Sequence, residues 1–186
     1  VFGRHPERSL EDLAREALND ALKDAVCNVS DLGVAYYAGV TNGPLQGQLS
    51  IPGQVVLSKL GVEAIPIYNI ENGCASGSSA FNLAIQSLKA GVCDVALAIG
   101  AEKMNVPDKL KALSLFDAGW DVGRAEENYL RLLEMGKGVE VPPGTTSDKP
   151  FSKFMEIYAA LCRNHMRMFG TTHRQIAAVS AKNHQH

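Results

Sequence analysis

The chain has 186 residues, 46% of them hydrophobic and 20% charged, a balance that suits a globular protein of one domain or one and a half. Eighteen Lys and Arg against twenty Asp and Glu leave a formal net charge of −2. With few aromatics and no long basic block, this argues against a nucleic-acid partner. No apolar stretch approaches the roughly twenty residues that a membrane span needs, and Val1-Phe2-Gly3-Arg4-His5-Pro6 lacks the apolar core of a signal peptide. A cytoplasmic protein without membrane contact is expected. Cys27, Cys74, Cys93 and Cys162 are too dispersed for a disulfide framework, so free thiols in a reducing compartment are predicted.

In chain order, Ser9 caps a helix whose apolar residues fall at Leu10, Leu13, Ala14, Ala17, Leu18, Ala21, Leu22 and Ala25. Asp12 can return the capping interaction in a short version of the capping box. Gly33 to Val40 is apolar or small throughout and predicts a strand covered on both faces. A loop at Asn42-Gly43-Pro44 leads to a short helix over Gly53 to Leu60, and Ile65 to Ile70 is the next extended run, with Pro66 at its start. A helix after Cys74 carries Phe81, Ala84, Ile85 and Leu88 on one face and ends near Gly91. Val92 to Ile99 reads as a buried strand.

Strands alternating with helices at this rhythm imply βαβ units, a mostly parallel sheet and an α/β class. From Met104 onward Pro107, Gly119, Gly123, Gly136, Gly138 and Pro142-Pro143-Gly144 interrupt short helical stretches, and no strand is predicted. This part reads as an excursion from the sheet. Two helices close it: Ser152 to Phe169, with Phe154, Ile157, Tyr158, Leu161 and Cys162 inward, and another after Thr171-Thr172. Three strands are few for these helices, so the chain is expected to be a fragment.

Cys74 is the candidate for chemistry. It lies where the extended run meets a helix that opens in Ala75-Ser76-Gly77-Ser78-Ser79. Unpaired amides and the positive dipole end at a helix start favour a thiolate, the nucleophilic form of cysteine. Gly73, Ala75, Ser76 and Gly77 leave room for a bulky thioester. His165, His173, His184 and His186 lack a supporting carboxylate cluster, so no metal site is expected with Cys162. Gly136-Lys137-Gly138 and Gly144-Thr145-Thr146 lack P-loop spacing and read as turns. Arg163, Arg167 and Lys153 could meet a phosphate but read as solvated helix faces.

Asn72-Gly73-Cys74-Ala75-Ser76-Gly77-Ser78-Ser79-Ala80 resembles the nucleophile motif of the thiolases, in particular those of the sterol-carrier-protein type. Ala90 to Met104, with its Gly100-Ala101-Glu102-Lys103-Met104 ending, is similar to the family's next strand. Phe2-Gly3-Arg4 resembles the loop after its first strand, and His165 to Thr171 with Ala181 to His186 resembles helices of its loop domain. The resemblance implies a thiolase-like αβα layered fold. Residues 1–103 would be the N-terminal αβ domain without its first strand, and residues 104–186 a truncated loop-domain excursion. It implies Cys74 as catalytic nucleophile, with its backbone N–H in an oxyanion hole. The substrate would be a coenzyme A thioester, with no tightly bound cofactor, and the assembly a homodimer or homotetramer paired through the strand at Ile67 to Ile70. No cofactor-binding residue is assigned. The family's catalytic His and second Cys belong to its C-terminal half, and no motif here matches them.

Three functions compete on these grounds. The first is acyl transfer between 3-oxoacyl-CoA and CoA. The second is a thiolase-like aldolase that cleaves a CoA-linked steroid side chain together with a partner protein. The third is a binding and dimer-forming half with no turnover of its own. Cys74 favours the first, because retro-aldol chemistry needs an acid/base pair rather than an acyl-accepting thiol.

Overall fold

A computed structural model of the chain describes residues 4–141, 143–144 and 152–185. Phe2, Gly3, Pro142, Thr145, Thr146 and His186, singled out in the sequence, lie outside the described residues. The chain forms two compact units, Val1–Ala112 and Leu113–His186.

The first unit begins with α1 (Leu10–Ala25). Its cap is a complete capping box: Ser9 Oγ accepts from the Asp12 amide at 3.0 Å, and the Asp12 carboxylate accepts from the Ser9 amide at 2.8 Å. The Ser9 hydroxyl and then its amide hold the Asp12 carboxyl below its ordinary value. The helix closes on Val26 with φ 54, a left-handed position usually taken by glycine.

Three parallel strands follow in the order β2-β1-β3, where β1 is Val34–Ala38, β2 Ile67–Ile70 and β3 Ala96–Gly100. Tyr36 stands opposite Tyr68 on one side and Ala98 on the other. All five residues of β1 are buried, as its unbroken apolar run predicts. Ala35 and Tyr37 face a core built with Ala14 and Leu18 of α1, Leu57 of α3 (Pro52–Ser58) and Val62. Val34, Tyr36 and Ala38 face Ala80 and Ala84 of α4 (Ser76–Lys89) on the other side. Each fully buried large apolar side chain contributes about 1.5–3 kcal/mol, so a central strand covered twice anchors the unit.

The buried face of α4 shares Ala84 and the half-buried Ile85 with the one its apolar spacing predicts, but not Phe81 or Leu88. Ser76, Ala80, Ala84 and Ser87 turn inward, while Phe81 is 62% exposed and Leu88 42% exposed. The reason is steric. Tyr36 already fills the space above β1, its hydroxyl 2.6 Å from Ser87 Oγ, and only a stripe of small residues lets the helix come that close.

Close approach also governs the strand ends. Gly33 donates to the Val95 carbonyl at 2.9 Å, and a Cβ at position 33 would stand 2.3 Å from Cys93 Cβ. Cys93 precedes β3 and is half-buried, so the extended run starting at Val92 enters the sheet later than its hydropathy suggests. At the opposite end the Glu102 carboxylate accepts from the amides of Val40 and Thr41 at 2.5 and 2.6 Å, tying β1 to β3 where α2 (Asn42–Gln46) begins. Burial, and then the Glu102 charge, raise the Tyr37 phenol above its ordinary value.

After β3 comes α5 (Lys109–Ser114). The second unit contains α6 (Ala125–Glu134), α7 (Lys153–Phe169) and α8 (His173–Gln185), with no strand among its described residues. Phe154 stacks on Trp120 with ring centroids 5.0 Å apart, and Trp120 meets Tyr129 edge-on at 6.3 Å. Ile157 and Ala160 are the buried residues of α7. Tyr158 and Cys162, predicted inward, are exposed, because the close contact is made by Ala160 against Gly136. A Cβ on Gly136 would lie 2.8 Å from Ala160 Cα. Among the described residues no helix is long and apolar enough to cross a membrane.

Candidate functional site

Cys74 sits in a turn at the carboxyl end of β2, two residues before α4 begins. Clefts at the carboxyl ends of parallel strands are where open α/β sheets bind their ligands. The turn spans Asn72 to Ala75, closed by a bond from the Ala75 amide to the Asn72 carbonyl at 3.0 Å. Gly73 takes the first central position with φ 52, and a Cβ there would meet nothing within 4 Å. Conformation, not space, makes glycine the fitting residue. Cys74 takes the second central position and is exposed, its thiol free.

The hydrogen bonds of the turn are short and local. Gly73 donates its amide to Glu71 Oε1 at 2.7 Å, and Ser76 donates its amide to the Gly73 carbonyl at 3.1 Å. Ser76 Oγ accepts from the Asn72 amide at 2.8 Å and donates to the Gly73 carbonyl at 2.7 Å. Asn72 Nδ2 donates to Ser79 Oγ at 2.9 Å. The Cys74 amide takes part in none of these bonds. Ala75, at the N-cap of α4, has no side-chain oxygen to cap the first turn. The thiol is exposed, and Gly73 and Ala75 flank it.

The other candidate residues lie in the second unit. His165 Nδ1 is 2.9 Å from Thr171 Oγ1, and His184 Nδ1 is 2.9 Å from the Ser180 carbonyl. No group of three or more His, Cys, Asp or Glu side chains that could hold a metal ion occurs among the described residues. Arg163 donates to the Gly136 carbonyl at 3.2 Å, Arg167 to Asn164 Oδ1 at 2.7 Å, and Lys153 pairs with Glu126 at 3.7 Å. Each of the three has its partner within the second unit. Sequence reasoning names Ser76 only as a small neighbour of Cys74 and Asn72 and Ser79 only as motif positions, and it assigns no hydrogen-bonding role to these or to Glu71. The Asn-Gly pair followed by serines was the available signal, since such residues hydrogen-bond their own backbone in turns.

Residues 2–186 match the family profile described as thiolase, N-terminal domain. The chain belongs to the thiolase family. Its α/β fold with a parallel sheet fits that thiolase domain. Among thiolase relatives, it is 30% identical over 184 residues to non-specific lipid-transfer protein-like 2 of Caenorhabditis elegans, covering 99% of this chain and 40% of the relative. It is 30% identical over 186 residues to acetyl-CoA acetyltransferase of Methanothermobacter thermautotrophicus, covering 99% of this chain and 42% of the relative. It is 32% identical over 184 residues to sterol carrier protein 2 of Homo sapiens, covering 99% of this chain and 30% of the relative. The chain thus spans between 30% and 42% of the length of these three relatives.

Proposed function

We propose that Cys74 is the acyl-accepting nucleophile of a thiolase that transfers acyl groups between 3-oxoacyl-CoA and CoA. The observation that carries this reading is the placement of an exposed thiol in a tight turn at the head of α4, within Asn72-Gly73-Cys74-Ala75-Ser76-Gly77. Similarity to an acetyl-CoA acetyltransferase supports the reaction class. Similarity to lipid-transfer and sterol-carrier proteins supports a lipid-type acyl chain.

In the proposed cycle the Cys74 thiolate adds to the 3-keto carbon, forming a carbon–sulfur bond and an oxyanion. The Cys74 amide, outside the bonds that hold the turn, is a donor for that oxyanion. Collapse of the intermediate breaks the bond between carbons 2 and 3, and the leaving fragment takes a proton to become acetyl-CoA. A second CoA thiol then attacks the acyl-cysteine, releases the shortened acyl-CoA and returns the thiol. The proton transfers require a base beyond Cys74, which we assign to the remainder of the protein. Residues 104–186 are read as the loop domain, and coenzyme A enters as substrate.

The test is acetoacetyl-CoA cleavage in the presence of free CoA by the full-length protein, its Cys74→Ala variant and the 186-residue chain. Full-length protein turns over. Cys74→Ala loses at least about a thousandfold, the scale seen when a covalent nucleophile is removed. The 186-residue chain accepts acyl groups slowly at Cys74 without completing thiolysis. Undiminished cleavage by full-length Cys74→Ala would replace this reading with carbon–carbon cleavage of the aldolase type.

A further inference from the structure

A serine at the start of a helix ordinarily bonds forward, accepting from amides of the first turn. Ser76 bonds backward. It is the first residue of α4, 5% exposed, and its hydroxyl accepts from the Asn72 amide and donates to the Gly73 carbonyl. One hydroxyl therefore clamps both residues that precede Cys74. Its bond to the Gly73 carbonyl supplements the one from its own amide, so the two bonds converge on the peptide that carries the Cys74 nitrogen.

The other side-chain bonds described for the turn, from the Gly73 amide to Glu71 and from Asn72 to Ser79, are exposed. Gly73 and Ala75 have no side chain that reaches a neighbour, and Gly73, Cys74 and Ala75 are all exposed. Packing is absent where the thiol needs a fixed position, and glycine at φ 52 is the least constrained residue the backbone offers. Hydrogen bonds must supply the rigidity that packing supplies elsewhere. The two bonds of the Ser76 hydroxyl are partly buried, whereas the Asn72–Ser79 and Gly73–Glu71 bonds are exposed.

We propose that Ser76 is a positioning residue for the nucleophile: its hydroxyl fixes the Asn72–Gly73 segment and so sets where the Cys74 sulfur stands at the head of α4. Its role in catalysis rests on the reading of Cys74 as the acyl acceptor. Ser76→Ala would leave the Asn72 amide without its acceptor and remove one of the two bonds to the Gly73 carbonyl. The turn would then sample other conformations while the sheet stays intact.

The experiment compares full-length wild type, Ser76→Ala and Ser76→Thr by three readouts. These are the rate of iodoacetamide labelling at Cys74 by peptide mapping, the rate of acyl transfer from acetoacetyl-CoA, and hydrogen exchange at the Asn72 amide. In Ser76→Ala, labelling at Cys74 and acyl transfer fall about fivefold to thirtyfold, the factor that one to two lost hydrogen bonds represent. Labelling at exposed Cys162 and exchange in β1 stay at wild-type values. Ser76→Thr, which keeps the hydroxyl, recovers at least a third of both rates. Wild type protects the Asn72 amide, and that measurement stands even if Ser76→Ala fails to fold. Wild-type rates in Ser76→Ala, a Thr variant as slow as the Ala variant, or an unprotected Asn72 amide in wild type each overturn the proposal. Full acyl transfer by Cys74→Ala would instead remove the nucleophile reading and leave the labelling and exchange results for Ser76 standing.

Discussion

The Tyr36 hydroxyl and Ser87 Oγ lie 2.6 Å apart, both side chains buried, and form a side-chain bond between β1 and the helix that carries the candidate site. Tyr36 also stacks on Tyr68 of β2 at 5.4 Å, so one ring joins two strands and a helix. Removing either hydroxyl strands the other in a low-dielectric interior. Tyr36→Phe and Ser87→Ala should each cost about 1–3 kcal/mol, and the double variant clearly less than the sum. Denaturant unfolding of the four proteins reads this directly, and strict additivity would contradict the coupling.

Thiol exposure predicts an order of alkylation. Cys74 and Cys162 are exposed, whereas Cys93 is half-buried and pressed against Gly33. At limiting iodoacetamide Cys74 should label first, ahead of Cys162, with Cys93 last. Exposure alone does not separate the first two; the helix-start position of Cys74 does. Peptide mapping that finds Cys162 labelled and Cys74 inert would count against the nucleophile.

A pH effect is expected from the second unit. The hydrogen bond to the Glu156 carboxylate, then burial, push the Tyr129 phenol from 10.0 up to about 12. Because the folded value is the higher one, the stabilisation is complete below the unfolded value and is lost as pH rises through the folded one. Thermal unfolding of wild type should therefore weaken between pH 10 and about 12 more steeply than that of Tyr129→Phe. A difference absorbance titration should place the missing phenol near the top of that window. Parallel pH curves for the two proteins would show that the bond does not form.

Val26 offers a stabilising substitution. It is 91% exposed and holds φ 54 at the end of α1, a conformation that costs a residue with a Cβ roughly 1–2 kcal/mol. Val26→Gly should raise the midpoint of unfolding, since relief of that strain exceeds the added freedom of the unfolded chain. A lowered midpoint would mean that Val26 makes a contact worth more than its strain.

The β2 edge predicts association. Among the described residues β2 is paired in the sheet only with β1, Tyr68 is 53% exposed, and on the outer edge the Ile67 carbonyl accepts from the Gln54 side chain at 2.8 Å. Open edges of this kind invite strand pairing. Light scattering on the full-length protein should report a dimer or tetramer, and a stable monomer at micromolar concentration would sink the proposal.

The legible parts of this chain are those where one side chain type marks one environment. The apolar run in β1 announced a doubly covered strand, and Ser9 with Asp12 announced the start of α1. Apolar spacing placed Ala84 inside correctly but misassigned Phe81 and Leu88, because α4 packs through Ala80, Ala84 and Ser87 and leaves Phe81 outside. Hydrophobicity ranks phenylalanine above alanine, but clearance over Tyr36 selects for smallness. The same limit applies at the site. Cys74 is conspicuous by its surroundings, whereas the role of Ser76 depends on which way a hydroxyl points, and serine is common at the start of any helix.

The contact between Gly33 and Cys93 has a consequence for how this sequence can vary. The two positions share the volume of one side chain, with only 2.3 Å between Cys93 Cβ and a Cβ built on Gly33. They are therefore expected to change together among homologues. A larger residue at position 33 calls for a glycine at position 93 or a displaced strand entry, while position 93 can carry a small side chain only as long as position 33 stays glycine. Cys93 thus acts as a spacer between the two strands, and another small side chain could replace it there without loss of chemistry.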